Sequence, residues 1–271
     1  MGLRRLYNDI RYLRGKLSLA IGHSENATHK IFVIGSGRSG THWLGHALDR
    51  HPNVQVLFEE PPIFKWIVKM ARFPEQEGKL FNRLVDRYHA YHALVAPLHL
   101  ADKSHPNIWI AEKLARAFPE ARFIAIRRKL FGTVASMLKH KGTRRRVKDW
   151  DRDPRSDRLL GVNQDLIETY RLMSIEARCA IRVIAHSREL DRLHQSLGET
   201  LCIVEYEKMQ SQTEVEATRI TQFLDLYPSI ELPPPQSLSM AKWKCELSET
   251  EQEHIREAAR KLNATDLLES D

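Results

Sequence analysis

Residues 31–48, IFVIGSGRSGTHWLGHAL, constrain this chain more than any other stretch. Ile31, Phe32, Val33 and Ile34 make a continuous apolar run, the pattern of a strand buried on both faces. Gly35, Gly37 and Gly40 punctuate the turn that follows, and Trp43, Leu44, Ala47 and Leu48 then recur at helical spacing. Strand, glycine turn and helix start in that order form a cradle for phosphate. Glycines let backbone N–H groups converge, and the helix N-terminus favours an anion. The spacing is G-x4-G-T-H, so Thr41 stands where a nucleotide-hydrolysing P-loop has its lysine. The cation of this loop is Arg38, inside the turn.

Residues 53–58, 122–126 and 201–204 read as further short strands, each separated from the next by helical patterns. Such alternation implies an α/β fold: a P-loop-type, three-layer αβα arrangement around a central parallel sheet. With 271 residues, 42% hydrophobic and 28% charged, the chain fits one domain over 30–271 behind a basic amphipathic segment, 1–29. In residues 1–22, Leu3, Leu6, Ile10, Leu13 and Leu17 fall at helical spacing among Arg4, Arg5, Arg11, Arg14 and Lys16. A helix packed on the domain by its leucine stripe is the favoured expectation; peripheral contact of residues 1–22 with an anionic membrane is the alternative. Residues 24–30 read as a connector. Residues 101–106 read as a polar turn entering a helix over 107–118. The basic stretch 139–158 reads as a mobile loop, 163–187 as a long helix with a shorter one to Leu197. Ser248 and Glu251 form a capping box.

The formal net charge of +7 favours an anionic partner. Nucleic acid is the weakest candidate, because no nucleic-acid-binding motif accompanies the dispersed basic residues. Cys179, Cys202 and Cys245 show no metal or disulfide spacing, and together with the absence of an 18-residue apolar run or a secretory segment they point to a cytoplasmic setting. Asn26-Ala27-Thr28 and Asn263-Ala264-Thr265 match the glycosylation triplet, a pattern frequent by chance.

The strand followed by GSGRSGTHWL resembles the 5′-phosphosulfate loop of sulfotransferases, which use 3′-phosphoadenosine 5′-phosphosulfate (PAPS) as donor. The resemblance implies that Gly37, Arg38, Ser39, Gly40, Thr41 and His42 hold the donor's 5′ end, with His42 in place of a second threonine. Glu59-Glu60-Pro61-Pro62 resembles the segment in which carbohydrate and tyrosylprotein sulfotransferases carry a glutamate base; Glu60, before proline, matches it, and Glu59 replaces a lysine. Adjacent side chains at a strand end point opposite ways, so only one glutamate should face a cleft. His105 is the next candidate base.

Residues 102–107 followed by 118–124 resemble a second family block and imply that Lys103 neutralises charge as the sulfonate leaves. Arg128 and Ser136 have the eight-residue spacing of the family's 3′-phosphate block, although Lys129-Leu130 replaces the usual Asp-Pro. Residues 204–209 and Lys242-Trp243-Lys244 resemble two weaker blocks. The implied activity is sulfuryl transfer from PAPS, without a metal, to an acceptor hydroxyl on a carbohydrate, lipid or small molecule. Phe64, Trp66, Tyr88 and Tyr91 are compatible with stacking on such an acceptor, though core packing is the expectation. The rival readings are a nucleotide-dependent kinase and a non-catalytic binding protein on the same fold.

Overall fold

The computed structural model describes residues 2–22, 28–235 and 238–269. The Asn26 triplet and most of the 24–30 connector lie outside them. Five parallel strands form one sheet: β1 (Lys30–Gly35), β2 (Val54–Phe58), β3 (His99–Lys103), β4 (Arg122–Arg127) and β5 (Leu201–Glu205), in the order β2-β3-β1-β4-β5. β1 lies at the centre, and both faces of the apolar run are buried. Phe32 and Ile34 pack with Tyr88, Leu100, Phe123 and Ala125 on one face, while Ile31 and Val33 pack with Leu44, Leu48, Ile124 and Ile126 on the other. This is the alternation a strand imposes.

The helices α1 (Gly2–Ala20), α2 (Thr41–Asp49), α3 (Ile63–Arg72), α4 (Glu77–Val95), α5 (Ala111–Ala117), α6 (Leu130–Lys139) and α7 (Lys141–Asp149) follow in chain order. They are succeeded by α8 (Ile167–Leu172), α9 (Ile175–Leu197), α10 (Tyr206–Ser211), α11 (Thr213–Leu224), α12 (Leu238–Ala241), α13 (Trp243–Glu246) and α14 (Glu249–Lys261). Helices α3, α4, α5 and α9 cover one face of the sheet, and α2, α10 and α11 the other. The chain is thus a three-layer α/β fold of P-loop type with a central parallel sheet. A further apolar cluster joins α6, α7, α9 and α14 beside the sheet. The capping box of Ser248 and Glu251 starts α14. No described helix is long and apolar enough to cross a membrane.

Four expectations change. β3 is a fifth strand in place of a polar turn: Leu100 and Ala101 are its only apolar residues, and Asp102 and Lys103 are buried at its C-terminal end. Its polarity hides it, because those side chains serve a site rather than a core. The stretch 139–158 holds α7 instead of a mobile loop. Val147 and Trp150, three apart, anchor it to the apolar cluster, and His140 caps it by accepting from the Thr143 N–H at 3.1 Å. The helix expected over 163–187 is divided, since Met173 and Ser174 separate α8 from α9, and α9 runs on to Leu197.

The fourth change concerns α1. Its apolar stripe, Leu6, Ile10, Leu13 and Leu17, is exposed, and the opposite face docks on α4. Asn8 is fully buried there and donates to Glu60 Oε2 at 2.8 Å and the Pro61 carbonyl at 2.7 Å. Arg87 of α4 pairs with Asp9 at 2.8 Å, and Tyr12 and Lys16 both donate to Asp86. The helices touch through Gly15, where an added Cβ would lie 2.0 Å from the Ala90 carbonyl oxygen. Backbone cannot yield to that overlap as a side chain can. Gly15→Val should therefore push α1 off α4 and cost about 1–3 kcal/mol. Denaturant unfolding monitored together with proteolytic cleavage near residue 20 checks this; unchanged stability would mean that α1 docks elsewhere.

Candidate functional site

The C-terminal ends of β1, β2, β3 and β4 open into one cleft, where open parallel sheets bind ligands. After Gly35 the chain turns through Ser36–Gly40 into α2. Arg38 has φ 78°, a left-handed conformation unusual outside glycine, asparagine and aspartate. Gly40 has φ 109°, and a Cβ there would meet Tyr206 Cδ2 at 2.6 Å. The Ser39 hydroxyl donates to the Ser36 carbonyl at 2.7 Å, so its one proton locks the turn and is not free for a phosphate.

The cleft has two halves. The first, about 460 Å³, is lined by Arg38, Thr41, Arg128, Ser136, Tyr206 and Trp243, among others. Arg38 donates through Nε to Ser136 Oγ at 3.2 Å, and Arg128 donates to the Arg38 carbonyl at 3.2 Å. The sequence pair 128/136 is thus brought against the loop that it follows by ninety residues or more. Burial lowers the Arg128 pKa, and the neighbouring Arg38 charge adds to that. Two guanidinium charges lining one half of a cleft repel, and an anion between them would relieve that cost. The Arg128 guanidinium lies 4.3 Å over the Tyr206 ring, and Trp243 stacks on Phe131 at 4.6 Å. Both weaker sequence blocks therefore reach this half.

The second half, about 380 Å³, shares Arg38, Thr41, His42 and His140 with the first. Its floor carries Glu59, Lys103 and His105. The cleft-facing carboxylate is Glu59, not Glu60, which turns towards Asn8 of α1. The register expected from the proline-flanked segment is off by one residue. The physical reason is local: Glu59 has φ 48°, which breaks the strand alternation at the end of β2 and swings its side chain to the ligand side.

Glu59 Oε1 accepts from Lys103 Nζ at 2.5 Å and lies 3.3 Å from His105 Nδ1 and 3.7 Å from His42 Nε2. Arg182 approaches His105 Nε2 at 3.3 Å. A guanidinium only donates, so Nε2 is the lone-pair nitrogen and Nδ1–H points at Glu59. Burial works to raise the Glu59 pKa, but the His105 hydrogen bond and the Lys103 ammonium hold it well below the usual carboxylate range. Burial pushes His105 down to about 3 and His42 to about 4. Lys103 is fully buried and lowered by that burial, with Glu59 and Asp102 opposing. Asp102 is raised by burial to about 6 despite hydrogen bonds from Tyr88, Ser104 and Asn107. Among the described residues, Glu59 Oε2 has no hydrogen-bond partner.

Of the four aromatics considered for stacking, only Phe64 lines the cleft; Tyr88 and Tyr91 are wholly buried, and Trp66 packs against the same core. Sequence reasoning missed Arg182, Arg72, Arg146 and His140, which also line the second half. A signal for Arg182 existed: it interrupts the otherwise apolar run 179–184 of a helix, a costly place for a charge without a purpose.

A parallel sheet with a glycine turn at the end of its central strand defines an α/β protein of P-loop type. A sequence model of the sulfotransferase family matches residues 80–228, more than half of the chain. The chain belongs to the sulfotransferase family. That match spans Lys103, Arg128 and Ser136 but not the glycine turn or Glu59. In structure the chain is similar to a sulfotransferase from Alicyclobacillus acidocaldarius, with TM-score 0.52 and 14% identity over 90% of this chain and 95% of that one. It is also similar to the sulfotransferase domain of the curacin biosynthetic pathway, with TM-score 0.53 and 15% identity over 87% and 98% of the respective chains. The corresponding domain of the Synechococcus PCC 7002 olefin synthase gives TM-score 0.52 and 16% identity over 89% and 97%. No curated protein sequence matches the chain.

The cradle makes a test independent of activity. Gly40→Ala meets both the strained φ and the Tyr206 ring, and should cost about 1–3 kcal/mol of stability. If the loop holds the donor that the family resemblance implies, it should also abolish binding of adenosine 3′,5′-bisphosphate. Calorimetry and denaturant unfolding of the same preparation read both effects, and native-like binding would show that the turn has another conformation.

Proposed function

We propose that the chain transfers a sulfuryl group from PAPS to the hydroxyl of an acceptor bound in the second half of the cleft. The observation that carries this reading is the meeting of two half-sites at Arg38 and Thr41, one lined by Arg128 and Ser136, the other by Glu59, Lys103 and His105. Arg128 and Ser136 offer a guanidinium fork and a hydroxyl to a ribose 3′-phosphate, Arg38 and the loop amides face the 5′ end, and Trp243 offers a ring for adenine. The donor supplies an activated sulfuryl group.

Acceptor oxygen forms a bond to sulfur as the bond to the nucleotide's phosphate oxygen breaks. Glu59 Oε2, the open carboxylate oxygen, takes the hydroxyl proton. In the resting site Lys103 stabilises Glu59 as an anion and makes it a weak base. As negative charge builds on the departing oxygen, the Lys103 ammonium turns towards it. Glu59 loses its counter-charge and becomes a stronger base as the proton arrives. His105 holds Glu59 in place throughout, through Nδ1–H. Asp102, immediately behind, favours the protonated form of Lys103. The kinase alternative is disfavoured because Thr41-His42 replaces the Lys-Ser/Thr step that grips nucleoside triphosphates.

Two experiments test this reading. Glu59→Gln cannot accept a proton, and turnover of labelled PAPS should fall by about 10²–10⁴-fold with donor affinity retained. Glu60→Gln should change turnover little, since its partner is α1; the opposite order would restore Glu60 as the base.

The native protein should also bind adenosine 3′,5′-bisphosphate far more tightly than AMP, because two charge-assisted contacts contribute about 1.5–3 kcal/mol each before ordering costs. Replacing Arg128 and Ser136 together by alanine should collapse that gap in calorimetry. Equal affinities in the native protein would overturn the PAPS assignment.

A further inference from the structure

The second half of the cleft carries more positive charge than its reaction needs. Arg38, Arg72, Lys103, Arg145, Arg146 and Arg182 line it, against Glu59 and Asp149. The nearby carboxylates are already engaged. Glu59 accepts from Lys103, Asp149 pairs with Arg152 at 3.3 Å, and Asp157 pairs with Arg72 at 2.7 Å. Arg145, Arg146 and Arg182 have no carboxylate partner among the described residues.

Arg182 is the telling member. It is 2% exposed, its side chain rises from the middle of α9, and its Nε–H has no acceptor. Among the described residues, its guanidinium has one hydrogen-bonding contact, the neutral His105 ring. Burial pushes its pKa down to about 10, and the Arg146 charge is the next contributor; Arg146 is itself lowered by burial and by Arg72. An unpaired guanidinium at such depth is a large desolvation cost, and crowding like charges around it adds to that. A core would replace it with an apolar side chain, whereas a binding site keeps it for an anion. None of Arg145, Arg146 and Arg182 lines the donor half, where Arg38 and Arg128 serve the nucleotide.

We infer that the acceptor carries an oxyanion, a carboxylate, sulfate ester or phosphate ester, near the hydroxyl that is modified, and that Arg182 and Arg146 receive it. This rests on the reading of the second half as the acceptor site. Arg182 fixes the depth of the anion, and Arg146 closes over it from α7. The anion in turn neutralises the charge that makes the empty pocket costly. Neutral alcohols of the same shape leave the guanidiniums unpaired and bind weakly.

The test uses the whole chain saturated with adenosine 3′,5′-bisphosphate, and calorimetry with matched probes. One pair is phenyl β-D-glucuronide against phenyl β-D-glucoside; the other is 4-hydroxybenzoate against 4-hydroxybenzyl alcohol. The anionic member of at least one pair should bind about tenfold or more tighter at low salt, the scale of a charge-assisted contact. Glucose 6-sulfate and glucose 6-phosphate then show which oxyanion is preferred. Arg146→Gln, at a partly buried position, and Arg182→Met should each cut the preference about fivefold or more, with bisphosphate affinity kept within about twofold. If Arg182→Met does not fold, Arg146→Gln alone decides.

Equal binding within both pairs, or a preference that survives the variants, overturns the inference while leaving sulfuryl transfer intact. Failure of the native protein to prefer the bisphosphate over AMP sinks the donor assignment instead. The probes titrated against nucleotide-free protein then still decide the anion site.

Discussion

The cleft depends on the charge of one wholly buried lysine. Lys103 sits at the end of β3, between β2 and the central strand's loop, where an ammonium has no water to solvate it. Glu59 in front and Asp102 behind keep it charged, and each is perturbed in return: Glu59 is held low, while Asp102 is raised to about 6. Such a row is stable only while each member is paired, because breaking a buried ion pair strands the other charge. It is also responsive, since any anion that drew Lys103 away would raise the basicity of Glu59. The strained φ of Glu59 is the backbone's contribution to this arrangement.

The second dependence is steric. The loop between β1 and α2 can close only because Gly40 lies against the Tyr206 ring and Gly37 against His105 and Arg182. Tyr206, in turn, lies beneath the Arg128 guanidinium. The first half is therefore assembled where Gly40, the Tyr206 ring and the Arg128 guanidinium meet, while Gly37 faces the second. The second half is assembled from charges that meet at Glu59 and Arg182. The two halves differ in kind: one is shaped by contact, the other by an excess of cation.

Much of this was legible in the sequence, for physical reasons. A strand buried on both faces must be apolar throughout, so β1 declared itself, and the glycines after it declared a turn that no other residue type can make. Arginine and serine eight apart across a strand end and a helix both meet the Arg38 loop because each is held by regular local geometry. Periodicity is silent where side chains serve a site instead of a core. β3 was hidden for that reason, as was α7, whose two anchoring apolar residues lie among charges.

The sequence by itself determined the α/β class, the glycine turn after β1 and the family, since each is encoded within a few turns of chain. Tertiary structure alone decided which of two adjacent glutamates faces the cleft, because that rests on a single backbone dihedral at Glu59. It alone decided that the apolar stripe of α1 faces outward, because Gly15 lies against the backbone of α4 and Asn8 is held by Glu60 and Pro61. It alone brought Arg182 to His105, 77 residues away in the chain, and left the guanidinium without a counter-charge. Local sequence fixes what a segment can become; only the closed fold settles which charges are left facing one another.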